Sequence, residues 1–190
     1  MTNCAVFLDR DGTLNFDPGY IGDPEKLKLF PGTGDALFRL KSSGFKLLVI
    51  SNQSGIARGL IKDEDVRAVN NQLNKLLSTF KVSIDKFYYC PAHPDFSSKE
   101  ECECRKPSIK MVLEAASDFN VNLNKSYLIG DSVSDIECAM NSGLKSILVK
   151  TGQGSESLSI LQNQNKMPSF IAENITDACK FIIIDFSGDR

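Results

Sequence analysis

The chain has 190 residues, of which 42% are hydrophobic and 24% charged, and its formal net charge is −2. This balance predicts one globular domain over residues 1–190, and it disfavours a nucleic-acid partner. The sequence has no apolar run of about 18 residues and no signal-peptide pattern before Asp9, so we expect no membrane contact and a cytoplasmic location. In that compartment, we expect the cysteines to be thiols or metal ligands.

Short apolar runs alternate with amphipathic segments along the chain. In chain order, we predict strand 5–8, helix 33–43, strand 46–50, helix 63–80, strand 86–89, helix 108–119, strand 126–129, helix 131–142, strand 146–149, strand 170–172 and helix 175–183. Gly44 and Gly143 follow two of the helices and serve as C-terminal stop signals. Pro107 is expected to open the helix that begins at residue 108.

This alternation predicts an α/β fold, a three-layer α/β/α Rossmann-like parallel sheet with helices on both faces. In such sheets, ligands bind beyond the carboxyl ends of the strands. No insertion of domain size lies between residues 15 and 33 or between residues 54 and 90. We therefore expect a minimal cap made of loops.

Polar residues follow three of the predicted strands. Asp9 and Asp11 follow the first strand, Ser51 the second, and Asp131 the fourth. Two carboxylates ~4 Å apart repel by about 4 kcal/mol at an effective dielectric of ~20, and a divalent cation removes that penalty. Carboxylate oxygens suit Mg²⁺. Each residue alone could be an ordinary turn or helix cap, but their joint placement favours a site.

The segment from Asp9 to Thr13 resembles the first motif of the haloacid dehalogenase-like phosphatases. Ser51 matches the second motif of that family, Lys106 the third, and residues 130–135 the fourth. The longer strings 7–15, 51–59 and 102–107 resemble the heptose-bisphosphate phosphatases and the related histidinol-phosphate phosphatases. The similarity runs from about residue 4 to about residue 152.

The resemblance implies a catalytic set. Asp9 would be the nucleophile that forms an aspartyl-phosphate, and Asp11 would protonate the leaving group and later activate water, which requires a raised pKa of Asp11. Mg²⁺ would be held by the Asp9 carboxylate, the Asp11 backbone carbonyl and the Asp131 carboxylate. Ser51 and Lys106 would contact the phosphoryl oxygens.

The resemblance also implies substrate contacts at Asp17 and Tyr20, and we add Asn52 and Arg105 to that group together with Ser51 and Lys106. The planar guanidinium of Arg105 can pair with a second phosphate or with hydroxyl groups. Without the resemblance, Asp17 would simply open a turn, and Arg105 would be a solvated residue at a helix start.

Three cysteines and the single histidine lie close together in the sequence and predict a structural zinc site formed by Cys90, His93, Cys102 and Cys104. The resembled phosphatases place their histidine two residues after the first cysteine, whereas Ala92 stands there in this chain. His93 could replace that ligand, Asp95 or water could complete the site, or a ligand has been lost.

Three functions remain open from the sequence. The resemblance favours a Mg²⁺-dependent phosphatase acting on D-glycero-D-manno-heptose 1,7-bisphosphate at the 7-position, as a monomer. Histidinol phosphate is the nearest alternative substrate, although its amine would favour acidic contacts over Arg105. A non-catalytic module that binds through its zinc loop is the alternative of a different class. A nucleic-acid end-phosphatase is disfavoured by the acidic balance.

Overall fold

Six parallel strands form the central sheet of the computed structural model, which describes residues 2–188. The strands are β1 (Ala5–Leu8), β2 (Lys46–Asn52), β3 (Lys86–Cys90), β4 (Tyr127–Gly130), β5 (Lys145–Val149) and β6 (Phe170–Ala172). Their order across the sheet is β3-β2-β1-β4-β5-β6, and every neighbouring pair is parallel. The predicted α/β class and all six predicted strands are confirmed.

Five α-helices connect the strands and a sixth follows β6. They are α1 (Thr33–Ser42), α2 (Asp63–Ser78), α3 (Lys110–Phe119), α4 (Val133–Ser142), α5 (Gly154–Asn163) and α6 (Ile175–Gly188). The sequence did not predict α5, because Leu161 is the only apolar side chain that this helix buries fully. The expected role of Pro107 was wrong, since α3 begins three residues later, at Lys110. None of the helices described is long and apolar enough to cross a membrane.

The two faces of the sheet pack against different helices. Successive strand residues point to opposite faces, so Val6 and Leu8 lie in one apolar cluster and Ala5 and Phe7 in another. The first cluster includes buried side chains of α1, α2 and α6, and the second includes those of α3 and α4. Because both faces are covered, the strands read as continuous apolar runs, as parallel strands usually do.

The strand order reverses at β1, which pairs with β2 on one side and with β4 on the other. At such a point, consecutive connections leave the sheet on opposite faces and open a crevice above the carboxyl ends of the strands. Asp9 follows β1 and Asp131 follows β4, so the fold places both at this crevice.

Candidate active site

Three buried carboxylates and one lysine form the centre of the crevice. Lys106 Nζ lies 2.6 Å from Asp9 Oδ1 and 2.6 Å from Asp135 Oδ1, and it also donates to the Ile50 carbonyl at 2.7 Å. Asp9, Asp131 and Asp135 place carboxylate oxygens within 4.8 Å of one another. Between residues 2 and 188, this is the only group of histidine, cysteine and acidic side chains gathered closely enough to hold a metal ion.

The charges in this centre do not balance. Three carboxylates against one ammonium leave two uncompensated negative charges in a buried site. Burial, together with repulsion from Asp135 and Asp131, raises the pKa of Asp9 well above its ordinary value in spite of Lys106. Burial and the neighbouring Asp135 raise the pKa of Asp131 to about 7. A divalent cation would relieve this repulsion.

Asp135 contacts Lys106 and also caps the helix to which it belongs, α4. Its Oδ2 accepts hydrogen bonds from the Ser132 backbone N–H at 3.0 Å and from the Ser132 hydroxyl at 2.6 Å, which forms a capping box at the start of α4. The other oxygen faces Lys106 Nζ. Asp135 is therefore fixed at both carboxylate oxygens.

Asp11 lies in a separate cage of hydrogen bonds. Arg10 is bound to both of its oxygens, at 3.1 and 2.7 Å, and the amides of Asn15 and Gln53 donate to it at 2.9 and 2.8 Å. Burial by itself would raise the pKa of Asp11, but Arg10 and these hydrogen bonds outweigh it and lower that pKa. The expected raised pKa of Asp11 was therefore wrong, because Arg10 folds inward beside it and is only 1% exposed.

The end of β2 holds the segment that carries Lys106. The Asn52 amide donates to the Lys106 carbonyl at 3.2 Å, and its oxygen accepts from the Lys106 backbone N–H at 3.0 Å. Beside it, the buried Ser51 hydroxyl accepts from the Gln53 amide at 2.7 Å. Asn52 thus fixes the position of Lys106, a role that the sequence did not indicate.

A tight cradle surrounds the Asp131 carboxylate. The Gln153 backbone N–H donates to its Oδ2 at 2.8 Å, and the Thr151 hydroxyl donates to the Gly12 carbonyl at 2.7 Å. A Cβ atom at Gly12 would lie only 2.2 Å from Asp131 Oδ2, and one at Gly152 only 2.0 Å from it. The sequence did not identify residues 151–153 as part of the site. This segment follows β5, and it reaches Asp131 only because β5 pairs with β4 in the sheet.

One cavity of about 420 Å³ is lined by all nine residues that the sequence predicted for catalysis, Mg²⁺ binding and substrate binding. They are Asp9, Asp11, Asp17, Tyr20, Ser51, Asn52, Arg105, Lys106 and Asp131. Gln53, Ser132 and Gln153 also line it, and the sequence analysis had not singled them out. The residues close to Asp9 are buried, whereas Tyr20, at the outer rim, is 44% exposed.

The four predicted zinc ligands do not form a site in this structure. Cys90 and Cys104 are joined in a disulfide, Cys102 is a free thiol, and His93 Nε2 is bound by Arg58 Nη2 at 2.7 Å. The expectation that the cysteines are thiols or metal ligands does not hold for Cys90 and Cys104. Ala92, at the position where the resembled phosphatases have their histidine, packs in the same apolar cluster as Cys90, and His93 is bound to Arg58 instead.

The sheet and its site define the class of this protein, which is the haloacid dehalogenase-like hydrolases. The HAD-hydrolase-like family model matches residues 103–178. The crystal structure of D,D-heptose 1,7-bisphosphate phosphatase from B. bronchiseptica, complexed with magnesium and phosphate, superposes with a TM-score of 0.85 at 28% identity. That comparison covers 96% of this chain and 99% of the other.

Proteins with similar sequences identify the family within this class. The D-glycero-D-manno-heptose-1,7-bisphosphate 7-phosphatase of Chlorobaculum tepidum is 40% identical over 183 residues, which cover 92% of this chain and 91% of the relative. The corresponding β-D-manno enzyme of Escherichia coli K12 is 40% identical over 154 residues, covering 78% and 80%. The chain therefore belongs to the heptose-1,7-bisphosphate 7-phosphatase family and is a phosphatase.

Proposed function

We propose that this protein removes the 7-phosphate of D-glycero-D-manno-heptose 1,7-bisphosphate through an aspartyl-phosphate on Asp9, with Mg²⁺ as cofactor. The observation that carries the proposal is the contact of Asp9 with Lys106 inside the carboxylate cluster at the point where the strand order reverses. The names of the relatives supply the substrate. A cytoplasmic location and a monomeric state stay predictions.

In the first half of the proposed reaction, a carboxylate oxygen of Asp9 attacks phosphorus and the bond from phosphorus to the sugar oxygen breaks. Lys106 lies against Asp9 Oδ1 and lends its positive charge to the phosphoryl oxygens, with the Ser51 hydroxyl as a further donor. In the second half, water attacks the phosphorus, the acyl-phosphate bond breaks and the Asp9 carboxylate is restored.

Asp11 is proposed to move the protons. Arg10 lowers the pKa of the Asp11 carboxyl group, and we propose that the carboxylate accepts a proton from the attacking water in the second half. To protonate the sugar oxygen in the first half, Asp11 must carry a proton. We propose that it then leaves its bonds to Arg10 and turns toward Asp9, two residues earlier in the chain.

The carboxylate cluster fits a magnesium ion. Its donors are all oxygen, and its uncompensated negative charge favours a divalent cation. Asp9, Asp131 and the Asp11 backbone carbonyl would hold the ion, since Asp135 is committed to Lys106 and Ser132. When bound, Mg²⁺ supplies positive charge to the transferring phosphoryl group.

Replacement of Gly152 by alanine tests the cradle around Asp131. The new methyl group would lie 2.0 Å from Asp131 Oδ2, so the carboxylate must move. We expect kcat/KM to fall by about 10–100-fold, the usual effect of disturbing a residue that orients a metal ligand. The Mg²⁺ concentration needed for half-maximal phosphate release should rise, and this is the measurement.

Gly44→Ala is the matched control for that change. Gly44 also has positive φ, at +93°, but nothing lies within 4 Å of the position that its Cβ would take. Both variants therefore carry a backbone cost of about 1–2 kcal/mol, and Gly152→Ala alone disturbs the site. Equal Mg²⁺ requirements in the two variants would contradict the proposed role of Asp131.

Zinc is the less supported of the two cofactors. A disulfide sulfur is not a thiolate ligand, so the zinc site predicted at Cys90, His93, Cys102 and Cys104 stays a prediction for the reduced chain. His93 is its least favoured ligand, because Arg58 is bound to it. Metal analysis of the same preparation before and after reduction checks it, with zinc expected only after reduction.

The proposed function is tested by phosphate release from three substrates: the heptose bisphosphate, histidinol phosphate and p-nitrophenyl phosphate. We expect kcat/KM for the bisphosphate to exceed that for histidinol phosphate by at least about 100-fold, because Arg105 at the cavity suits a second anion rather than an amine. Chelation with EDTA should abolish activity, and Mg²⁺ should restore it.

Other outcomes of this experiment support the alternatives. A preference for histidinol phosphate would change the substrate and leave the chemistry unchanged. Release from the end of an oligonucleotide alone would indicate the nucleic-acid enzyme. No release from any substrate with Mg²⁺ present would support the non-catalytic binding module.

A further inference from the structure

Arg58 lies between two aromatic rings, one of which, Tyr20, lines the cavity. Its guanidinium carbon is 6.0 Å from the centre of the Tyr20 ring and 5.0 Å from the centre of the Phe96 ring. These distances are in the range of cation–π attraction. The two rings belong to different loops, so Arg58 joins the loop that follows β1 to the loop that follows β3.

His93 fixes the orientation of that guanidinium. The Nη2 of Arg58 donates to His93 Nε2 at 2.7 Å, while its Nε–H is buried without a hydrogen-bond partner in the described part of the chain. A buried donor without a partner costs stability. Folding alone therefore does not explain the placement of Arg58, which points to a role at the site.

The backbone around Tyr20 shows that this contact is specific. Tyr20 has a φ angle of +50°, a left-handed backbone conformation that residues other than glycine rarely adopt. A Cβ on Gly55 would lie 2.8 Å from the Tyr20 ring, so the glycine at position 55 lets the loop that carries Arg58 pack closely against that ring. Strain of this kind persists where the surroundings hold a residue in place, often at a functional site.

The same connection extends to Arg105. Its Nη1 donates at 3.2 Å to the carbonyl of Ala92, the residue before His93. Because the Nη2 of Arg58 is bound to His93, the two guanidinium groups are attached to consecutive residues, Ala92 and His93. Tyr20 and Arg105 both line the cavity. Arg58 and His93 thus support two cavity residues from behind.

We infer that Arg58 is a positioning residue that holds Tyr20 and Arg105 for the part of the sugar phosphate that lies away from the reacting phosphate. His93 acts through Arg58 in this arrangement rather than as a metal ligand. The inference rests on the proposed function and deepens it. The group recognised at this rim is the second anion of a sugar bisphosphate, which would pair with the Arg105 guanidinium that lines the cavity.

Steady-state kinetics of Arg58→Met tests the inference, because methionine keeps an apolar side chain of similar length without the charge. We expect KM for the heptose bisphosphate to rise at least about tenfold while kcat changes less than about threefold. KM for p-nitrophenyl phosphate, which has no second phosphate, should stay within about twofold. Arg39→Met, at an exposed position on α1, is the control and should change nothing.

Two variants of His93 separate positioning from general damage. His93→Ala should raise KM for the bisphosphate in the same direction as Arg58→Met. His93→Gln should restore it, because the glutamine amide oxygen can accept from Arg58 in place of Nε2. A similar rise in both variants would overturn the role given to His93.

Limited proteolysis with chymotrypsin gives a readout that needs no activity. Cleavage after the half-exposed Tyr20 should be faster in Arg58→Met than in the wild type and in Arg39→Met. If the wild type hydrolyses the bisphosphate and Arg58→Met keeps its KM, the inference fails and the proposed function stands. If the wild type is inactive, the proposed function fails, and equal cleavage rates would overturn the positioning role as well.

Discussion

Asp9→Asn should abolish phosphate release while the protein remains folded. An amide cannot attack phosphorus as a carboxylate does, so we expect kcat to fall at least about 10³-fold, with no phosphorylated intermediate in rapid-quench experiments. Asp35→Asn, at an exposed position on α1, is the matched control and should retain full activity. Residual release within about tenfold of the wild type would show that another group is the nucleophile.

The same variant has an expected effect on stability. Burial raises the pKa of Asp9, so the folded protein holds that proton more tightly than the unfolded chain does. The stability contribution of the group is therefore present at low pH and is lost as the pH rises above the ordinary value for aspartate. In EDTA at pH 7–8, Asp9→Asn should unfold at the same temperature as the wild type or at a higher one, and a large decrease would contradict this.

Lys106→Met should lose both activity and stability. Lys106 is 3% exposed, and its ammonium lies 2.6 Å from both Asp9 and Asp135. Removing one partner of a buried ion pair leaves an uncompensated charge and costs about 3–5 kcal/mol. We expect that decrease in the free energy of unfolding by urea denaturation, together with a loss of kcat of at least about 100-fold, because the phosphoryl charge loses its nearest cation.

The double variant Lys106→Met with Asp135→Asn separates these two effects. Removal of the second charge should recover part of the lost stability, because the two groups interact directly, but it should recover none of the activity. Lys166→Met is the control, since Lys166 pairs with Glu137 at the surface and should change stability by less than about 1 kcal/mol. Equal destabilisation by Lys106→Met and Lys166→Met would contradict the account of the buried pair.

The sheet and the centre of the site could be predicted because both depend on order along the chain. Apolar runs specify the strands, and the carboxyl ends of parallel strands must lie at one edge of the sheet. That rule brings Asp9 and Asp131, which are far apart in sequence, into one cluster. Helix α5 was missed because it buries too few apolar residues to show a periodic pattern in the sequence.

The sequence by itself determined the α/β fold and nine of the residues that line the crevice, because strand periodicity and the residues after each strand are local properties of the chain. Only the tertiary structure decided the direction of the pKa shift of Asp11 and the partner of His93. The first depends on Arg10, which is held inside by Asn70 from a helix 60 residues away. The second depends on Arg58, which belongs to the loop after β2 and is 35 residues away from His93 in the sequence.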